Sequence, residues 1–281
     1  MKDPSKPDRR SFTRKGGEYP AEGGFSSASE SPAMRETLLT IEKIAQGELN
    51  VMIIGEHGTG KEWAAHELHR LSKRSSGPFI VVDCAAISPE EAEAVLFGRE
   101  FLEGGSAEIR TGELEEAAGG TILLNDIDTL PQHTQVRLAR MIETGLLRRT
   151  GGEDDIPVQA RVIAALHENG GHPPETEKLR QELYYRISPV LMRIPPLRER
   201  KEDISRLIET FLRQFAAEKG SGSVPGISRE ALDLCKGYDW PGNVRHLRSA
   251  IEYASVMSAG EMILPAHLPP YLTQKREPAE G

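Results

Sequence analysis

The chain has 281 residues, 38% of them apolar and 28% charged, with a formal net charge of -8. That length buries a core readily and fits one large domain or two modest ones, while the acid excess argues against a broad grip on nucleic acid through bulk charge. Its two cysteines, Cys84 and Cys235, stand far apart without partner spacing, which fits core packing in a reducing compartment. The start, MKDPSKPDRR, has charge but no apolar core after it, so it is no secretory signal, and no apolar run is long enough to span a bilayer. A cytoplasmic protein without a membrane partner is expected.

Residues 1–26 are rich in Lys, Arg, Pro, Gly and Ser and bury too little to offset ordering entropy, so they read as a flexible tail. SPAMRETLLTIEKIAQG carries Met34, Leu38, Ile41 and Ile44 at helical spacing and stops at Gly47. Short apolar runs then alternate with helical stretches. NVMIIG, PFIVVDCAA, GTILLND and VQARVIAALH are the expected strands. EWAAHELHRLS, SPEEAEAVLFG, PQHTQVRLARMIETG and ETEKLRQELYYRI are the expected helices. The second of these has Ser88 as N-cap, Pro89 in first position and Glu91 three residues after the cap. Buried runs alternating with helices imply an α/β fold with a parallel sheet covered by helices on both faces, here spanning 27–200. From 201 to 270 three amphipathic stretches follow one another without strands, which predicts a small all-α domain. Residues 271–281 read as a second flexible tail.

GEHGTGKE, Gly55 to Glu62, lies between a strand and a helix with G-x4-G-K spacing. Its glycines let backbone N–H groups wrap a phosphate, the helix N-terminus adds positive potential, and Lys61 would reach the outer phosphates. Gly55, Glu56, His57, Gly58, Thr59, Gly60, Lys61 and Glu62 are therefore the candidate nucleotide cradle. HELH, His66 to His69, has i, i+3 rather than i, i+4 spacing and reads as packing or surface rather than a metal site. Trp63 and Trp240 read as core or subdomain contacts.

With SPAM, GEHGTGKE, CAAI, LFG, LYYRI, PPLRER and WPGNVRHL in order, the chain resembles the AAA+ domain of the sigma-54-dependent transcription activators over roughly Phe25 to Pro269. The resemblance implies a P-loop NTPase subdomain followed by a helical lid. It also implies ATP and Mg2+ as cofactors, a ring oligomer with sites between subunits, and sigma-54 RNA polymerase as the machinery acted on. In this family Glu commonly follows the loop lysine, so Glu62 fits. Arg180 and Arg186 of LRQELYYRI resemble the arginine fingers that reach a neighbouring subunit's nucleotide. Arg245 resembles the lid arginine that contacts nucleotide in its own subunit. Arg198 and Arg200 are expected to stabilise the join between the two subdomains.

Several positions depart from the family pattern. The third strand normally ends Asp-Glu, for magnesium and for polarising the attacking water; this chain has Asn125 and Asp126. Asn is a weaker partner for a hard cation, and Asp is one methylene shorter than Glu, a misplacement of about 1 Å that can cost about 100-fold in rate. A register shift could let Asp126 serve the metal, leaving no base beside it. Asp83 stands where Asn is usual, and His167 where a phosphate-sensing Asn is usual. After LFG, the sigma-contact loop G-A-F-T-G-A is replaced by REFLEGGSAEIRTGELEEA, where Gly104 to Ala107 form a candidate loop with no Phe-Thr pair. The resulting expectation is an ATP-binding, regulatory or hydrolysis-impaired subunit that associates with itself or a competent relative. No helix-turn-helix follows the lid, so no direct DNA binding is expected. The alternatives are an active ATPase with Asp126 as base that remodels sigma-54 polymerase, and an oligomerisation module indifferent to nucleotide.

Overall fold

The computed structural model describes residues 13–15, 31–103, 106–168, 178–220 and 224–273. By its contacts the chain divides into two compact units. One draws on the described parts of Met1–Tyr19, Leu39–Gly55 and Lys61–Arg193, the other on those of Pro20–Leu38, Glu56–Gly60 and Ile194–Gly281.

The first unit is built on a six-stranded sheet in the order β1-β3-β6-β9-β2-β10. Strands β2 (Val51–Gly55), β3 (Phe79–Asp83), β6 (Thr121–Asn125) and β9 (Arg161–His167) are the four apolar runs expected from the sequence. They pair in parallel, and nearly every side chain along them is buried, as a sheet covered on both faces requires. VQARVIAALH enters the sheet only at Arg161. Val158 instead turns its N–H to the Gly145 carbonyl at the end of the preceding helix.

Two strands of this sheet were not anticipated. β10 (Val190–Arg193) adds a fifth parallel strand beside β2, from a four-residue run trapped between prolines. β1 (Thr13–Lys15), inside the segment expected to be a flexible tail, pairs antiparallel with β3. Its three polar residues carry no apolar signal; the pairing rests on the backbone groups that an edge strand offers.

Helices α1 (Pro32–Ala45), α2 (Lys61–Arg70), α3 (Ala92–Phe97), α5 (Gln132–Thr144) and α6 (Gln181–Ile187) follow the expected stretches, and α4 (Glu113–Glu116) is a single turn. α3 starts four residues after Ser88. The Ser88 hydroxyl donates to the Glu91 carboxylate at 2.8 Å, and the chain makes a turn there before the helix begins. Of Gly104 to Ala107, expected as a loop, Gly104 and Gly105 lie outside the described residues. Ser106 and Ala107 instead lie in β5 (Ser106–Arg110), which pairs antiparallel with β4 (Arg99–Glu103). A second hairpin, β7 (Leu146–Arg148) with β8 (Asp155–Pro157), is tied to the first through Glu100 N–H to the Thr150 carbonyl (2.9 Å) and Thr150 N–H to the Gly98 carbonyl (3.0 Å).

The second unit is helical: α7 (Asp203–Glu218), α8 (Arg229–Gly237), α9 (Asn243–Met257) and the turn α10 (Pro270–Thr273). Leu207, Phe211, Phe215, Leu247, Ile251 and Trp240 are among the side chains of its own core. Each large apolar side chain buried there contributes about 1.5–3 kcal/mol toward holding these helices together. α8 begins at Ser228, whose hydroxyl accepts the Ala231 N–H at 3.2 Å. Trp240 and Asn243 both adopt left-handed backbone (φ 52° and 51°), making the sharp WPGN corner between α8 and α9.

Candidate functional site

The parallel register brings the C-terminal ends of the central strands level. Asp83 lies opposite Asn125, Asn125 opposite Ala165, and Gly55 opposite His167. Ligands of open parallel sheets gather at this edge. The phosphate loop leaves it at Gly55 and enters α2 at Lys61.

Every carbonyl from Gly55 to Thr59 has a donor. The Gly55 carbonyl accepts from Lys61 Nζ at 2.8 Å and from the Glu168 N–H at 3.2 Å. The Glu56 carbonyl accepts the Thr59 hydroxyl at 2.9 Å, and the His57 carbonyl accepts Asn243 Nδ2 at 2.9 Å. The Gly58 carbonyl takes the Val244 N–H at 2.9 Å, and the Thr59 carbonyl takes Arg200 Nη2 at 2.6 Å. Filling the carbonyls with these donors leaves backbone N–H groups as the loop's offer to an anion. Gly58 (φ 74°) and Gly60 (φ 105°) hold conformations that L side chains rarely adopt, and a Cβ on Gly58 would sit 2.4 Å from the Gly242 carbonyl oxygen.

Buried Glu56 is gripped on its side chain as well. Arg198 donates both arms of its guanidinium to the carboxylate (2.8 and 2.6 Å), and Asn243 Nδ2 adds a third bond at 3.1 Å. The Glu56 hydrogen bonds hold the Arg198 guanidinium above its usual value. Asn243 is fully buried and also accepts the Leu197 N–H through Oδ1 at 2.7 Å. Burial pushes Arg200 down to about 10, with Asp203 opposing the shift. Asp203 in turn accepts from the Ser31 N–H and hydroxyl at 2.9 and 3.1 Å. Arg198 and Arg200, expected at a join between subdomains, thus take residues of the phosphate loop as partners. Arg245 is exposed, and its Cβ would lie 3.0 Å from a Cβ on Gly58, so it stands directly beside the loop.

At the end of β6, Asp126 adopts left-handed backbone (φ 50°, ψ 47°) and opens the turn Ile127–Thr129; its carbonyl accepts the Thr129 hydroxyl at 2.7 Å. Burial first, and then the carboxylates of Asp83, Asp126 and Asp128, push the Cys84 thiol far up. Asp128 thus acts electrostatically on the same thiol as Asp83 and Asp126. Among the described residues no three His, Cys, Asp or Glu side chains gather as a metal site.

Arg180 and Arg186 bracket α6 in different surroundings. The Arg180 side chain is exposed, while its backbone N–H donates to Gln135 Oε1 at 2.9 Å. Arg186 is tied within its own chain to Glu143 at 2.8 Å and Glu182 at 3.7 Å. Buried Gln135 also donates to the carbonyls of Leu130 (2.8 Å) and Lys178 (3.1 Å), pinning the start of the arginine-bearing helix. Gln135 and Asn243 escaped the sequence reading, and only the polarity of the WPGN corner could have pointed to the second. Of the remaining temptations, His69 is buried with Nδ1 2.9 Å from the Thr121 hydroxyl, and Trp63 and Trp240 are core.

Residues 27–193 match the sigma-54 interaction domain and residues 198–281 the AAA+ ATPase lid domain. The chain belongs to the sigma-54 interaction domain family. It is 41% identical over 248 residues to the transcriptional regulatory protein ZraR of Salmonella typhimurium, covering 87% of this chain and 56% of that protein. With the DNA-binding transcriptional regulator NtrC of the same organism it shares 38% identity over 252 residues, covering 89% and 53%. Among solved structures, NtrX from Brucella abortus in complex with ATP superposes with a TM-score of 0.76 at 33% identity, covering 87% of this chain and 56% of that one. The chain thus spans about half the length of the curated relatives it matches. The α/β sheet unit followed by a helical lid is the AAA+ fold of these sigma-54-type transcription regulators. No helix among the described residues is long and apolar enough to cross a membrane.

Proposed function

We propose that this chain binds ATP on Gly55 to Glu62 and acts in bacterial transcription control as a regulatory, hydrolysis-impaired ring subunit, associating with itself or with a competent relative. The observation that carries the reading is the contrast within one sheet edge. The phosphate loop has its carbonyls from Gly55 to Thr59 engaged and both special glycines in place, while β6, separated from β2 by β9, ends at Asn125 with Asp126 next. ATP in the NtrX complex supports nucleotide as the ligand. In this reading the loop N–H groups and Lys61 hold the phosphates. Lys61 leaves the Gly55 carbonyl to do so, and Arg245 approaches from beside Gly58. Magnesium, when present, would draw on phosphate oxygens and on Asn125 and Asp126, a donor pair with only one charge where a hard cation favours charged oxygen.

Arg180 and Arg186 are assigned to a neighbouring subunit's nucleotide, where a guanidinium stabilises charge on the phosphoryl group in transfer. Arg186 must then exchange its Glu143 and Glu182 partners for phosphate. This asymmetry between a retained arginine donor and a substituted receiving site is what a regulatory subunit needs. Sigma-54 polymerase machinery is the partner of the assembled ring, and the cytoplasm its compartment.

Nucleotide binding and turnover, measured in one preparation with mass by light scattering, tests this. ATP is expected to bind and to favour assembly with little turnover. Vigorous hydrolysis that dies with Asp126→Ala would replace this reading with the second one, an active ATPase. Asp83, Asp126 and Asp128, whose charges all raise the Cys84 thiol, are the acids that second reading would draw on.

A further inference from the structure

A carboxylate on a phosphate-binding loop is a problem in electrostatics. Glu56 is the second residue of the loop, is largely buried, and carries a charge of the same sign as the ligand. Like charges near one another repel, and the more strongly where burial lowers the effective dielectric constant. The compensation is visible. Arg198 lies against Glu56 in a two-armed pair, and Asn243 Nδ2 bonds the same carboxylate and the neighbouring His57 carbonyl at once. Planar, bidentate pairing of this kind is the geometry that neutralises a carboxylate most completely.

Resting on the reading that the loop binds ATP, we propose that Arg198 is a positioning residue that sets the loop's phosphate affinity by cancelling the Glu56 charge, with Asn243 holding the pair in register. Neither residue needs to touch the nucleotide. The consequence differs from that of a purely structural bond. Removing Arg198 exposes a negative charge to the phosphates, so binding weakens, and weakens more for a triphosphate than for a diphosphate. Removing the Glu56 charge breaks the same ion pair yet leaves a cation beside the cradle, so binding holds or tightens.

Calorimetric titration of the full chain with ATP and with ADP separates these outcomes. Arg198→Met is expected to weaken ATP about tenfold, equivalent to about 1.4 kcal/mol, and ADP less. Glu56→Gln is expected to bind ATP at least as tightly as the unaltered chain. The double variant Glu56→Gln/Arg198→Met is expected to regain most of the loss. An Arg198→Met protein that binds like the unaltered chain, or a double variant as weak as Arg198→Met, overturns the proposal. If Arg198→Met fails to fold, Glu56→Gln decides alone, because weaker ATP binding by that variant contradicts cancellation. Absence of ATP binding by the unaltered chain would overturn the nucleotide reading together with this inference. Binding that is intact but indifferent to these charges overturns the inference only.

Discussion

The phosphate loop and the end of β6 occupy the same sheet edge but are constructed differently. The loop is a backbone object: two left-handed glycines, five engaged carbonyls, and donors from Lys61, Asn243, Val244 and Arg200. The end of β6 is a side-chain object, in which the chemistry depends on what two consecutive residues carry. A single codon can change it without disturbing the strand, since Asn125 keeps the same register with Asp83 and Ala165 that an acid would keep. The difference teaches that a fold and a loop set by the backbone say little about the chemistry that neighbouring side chains can perform.

The strongest way to break this comparison is to damage the backbone object directly. Gly58→Ala places a Cβ 2.4 Å from the Gly242 carbonyl oxygen in a left-handed conformation. The backbone term alone costs about 1–2 kcal/mol, and the collision adds to it. ATP binding is expected to fall below detection by calorimetry while the lid keeps its helical circular dichroism. Unaltered affinity would mean the loop does not hold phosphate in the conformation seen here.

Next in size is repair of the side-chain object. Asn125→Asp with Asp126→Glu restores a charged metal partner and the longer base. If placement and charge are what is missing, turnover should rise about 100-fold. A steady-state phosphate-release assay on both proteins checks it. No gain would move the impairment elsewhere, with His167 and Asp83 the first suspects.

How much of this was legible beforehand follows the same division. The four central strands, the loop and the lid helices were readable because apolar periodicity, glycine spacing and caps are local signals. β1 was not, because Thr13, Arg14 and Lys15 are held by the backbone of β3 and carry no apolar pattern. β10 was obscured by its four-residue length between prolines. The grip of Asn243 on Glu56 joins residues 187 positions apart, and no local signal reports such a bond. The hairpin of Arg99 to Arg110 was not legible because its strands, REFLE and SAEIR, carry charges without a steady apolar alternation. Within it Phe101 lies between Arg99 and Arg110, whose guanidinium carbons are 5.5 and 5.2 Å from its ring centre.

A smaller effect sharpens the comparison at a single backbone angle. Asp126 sits at φ 50°, where Asp and Asn are tolerated far better than longer side chains. Asp126→Glu alone is therefore expected to lower unfolding free energy by about 1 kcal/mol. A shift of the urea midpoint with unchanged slope checks it. In the proposed reading the shorter acid, which would weaken the chemistry, then also relieves the turn. An unchanged midpoint would show that the turn imposes no such preference.

The smallest expected effect concerns a residue that ties the two objects together. His69 lies on α2, the helix that starts at Lys61, and its Nδ1 is 2.9 Å from the hydroxyl of Thr121, the first residue of the strand that ends in Asn125. Burial lowers its pKa from 6.5, His66 and Arg161 push the same way, and a backbone hydrogen bond at Gly77 opposes them. The folded value is below the unfolded one, so the unfolded chain takes the proton first. Stability is therefore full above about pH 6.5 and falls as pH drops through that value toward the folded pKa. The melting temperature should decline on this acid side, and His69→Gln, which keeps a partner for Thr121 but cannot titrate, should flatten the decline. His66 and His246 are shifted in the same direction and leave a residual slope. If His69→Gln leaves the profile unchanged, the helix behind the loop and the strand beneath it are not coupled through this proton, and the two objects share an edge without sharing a titrating contact.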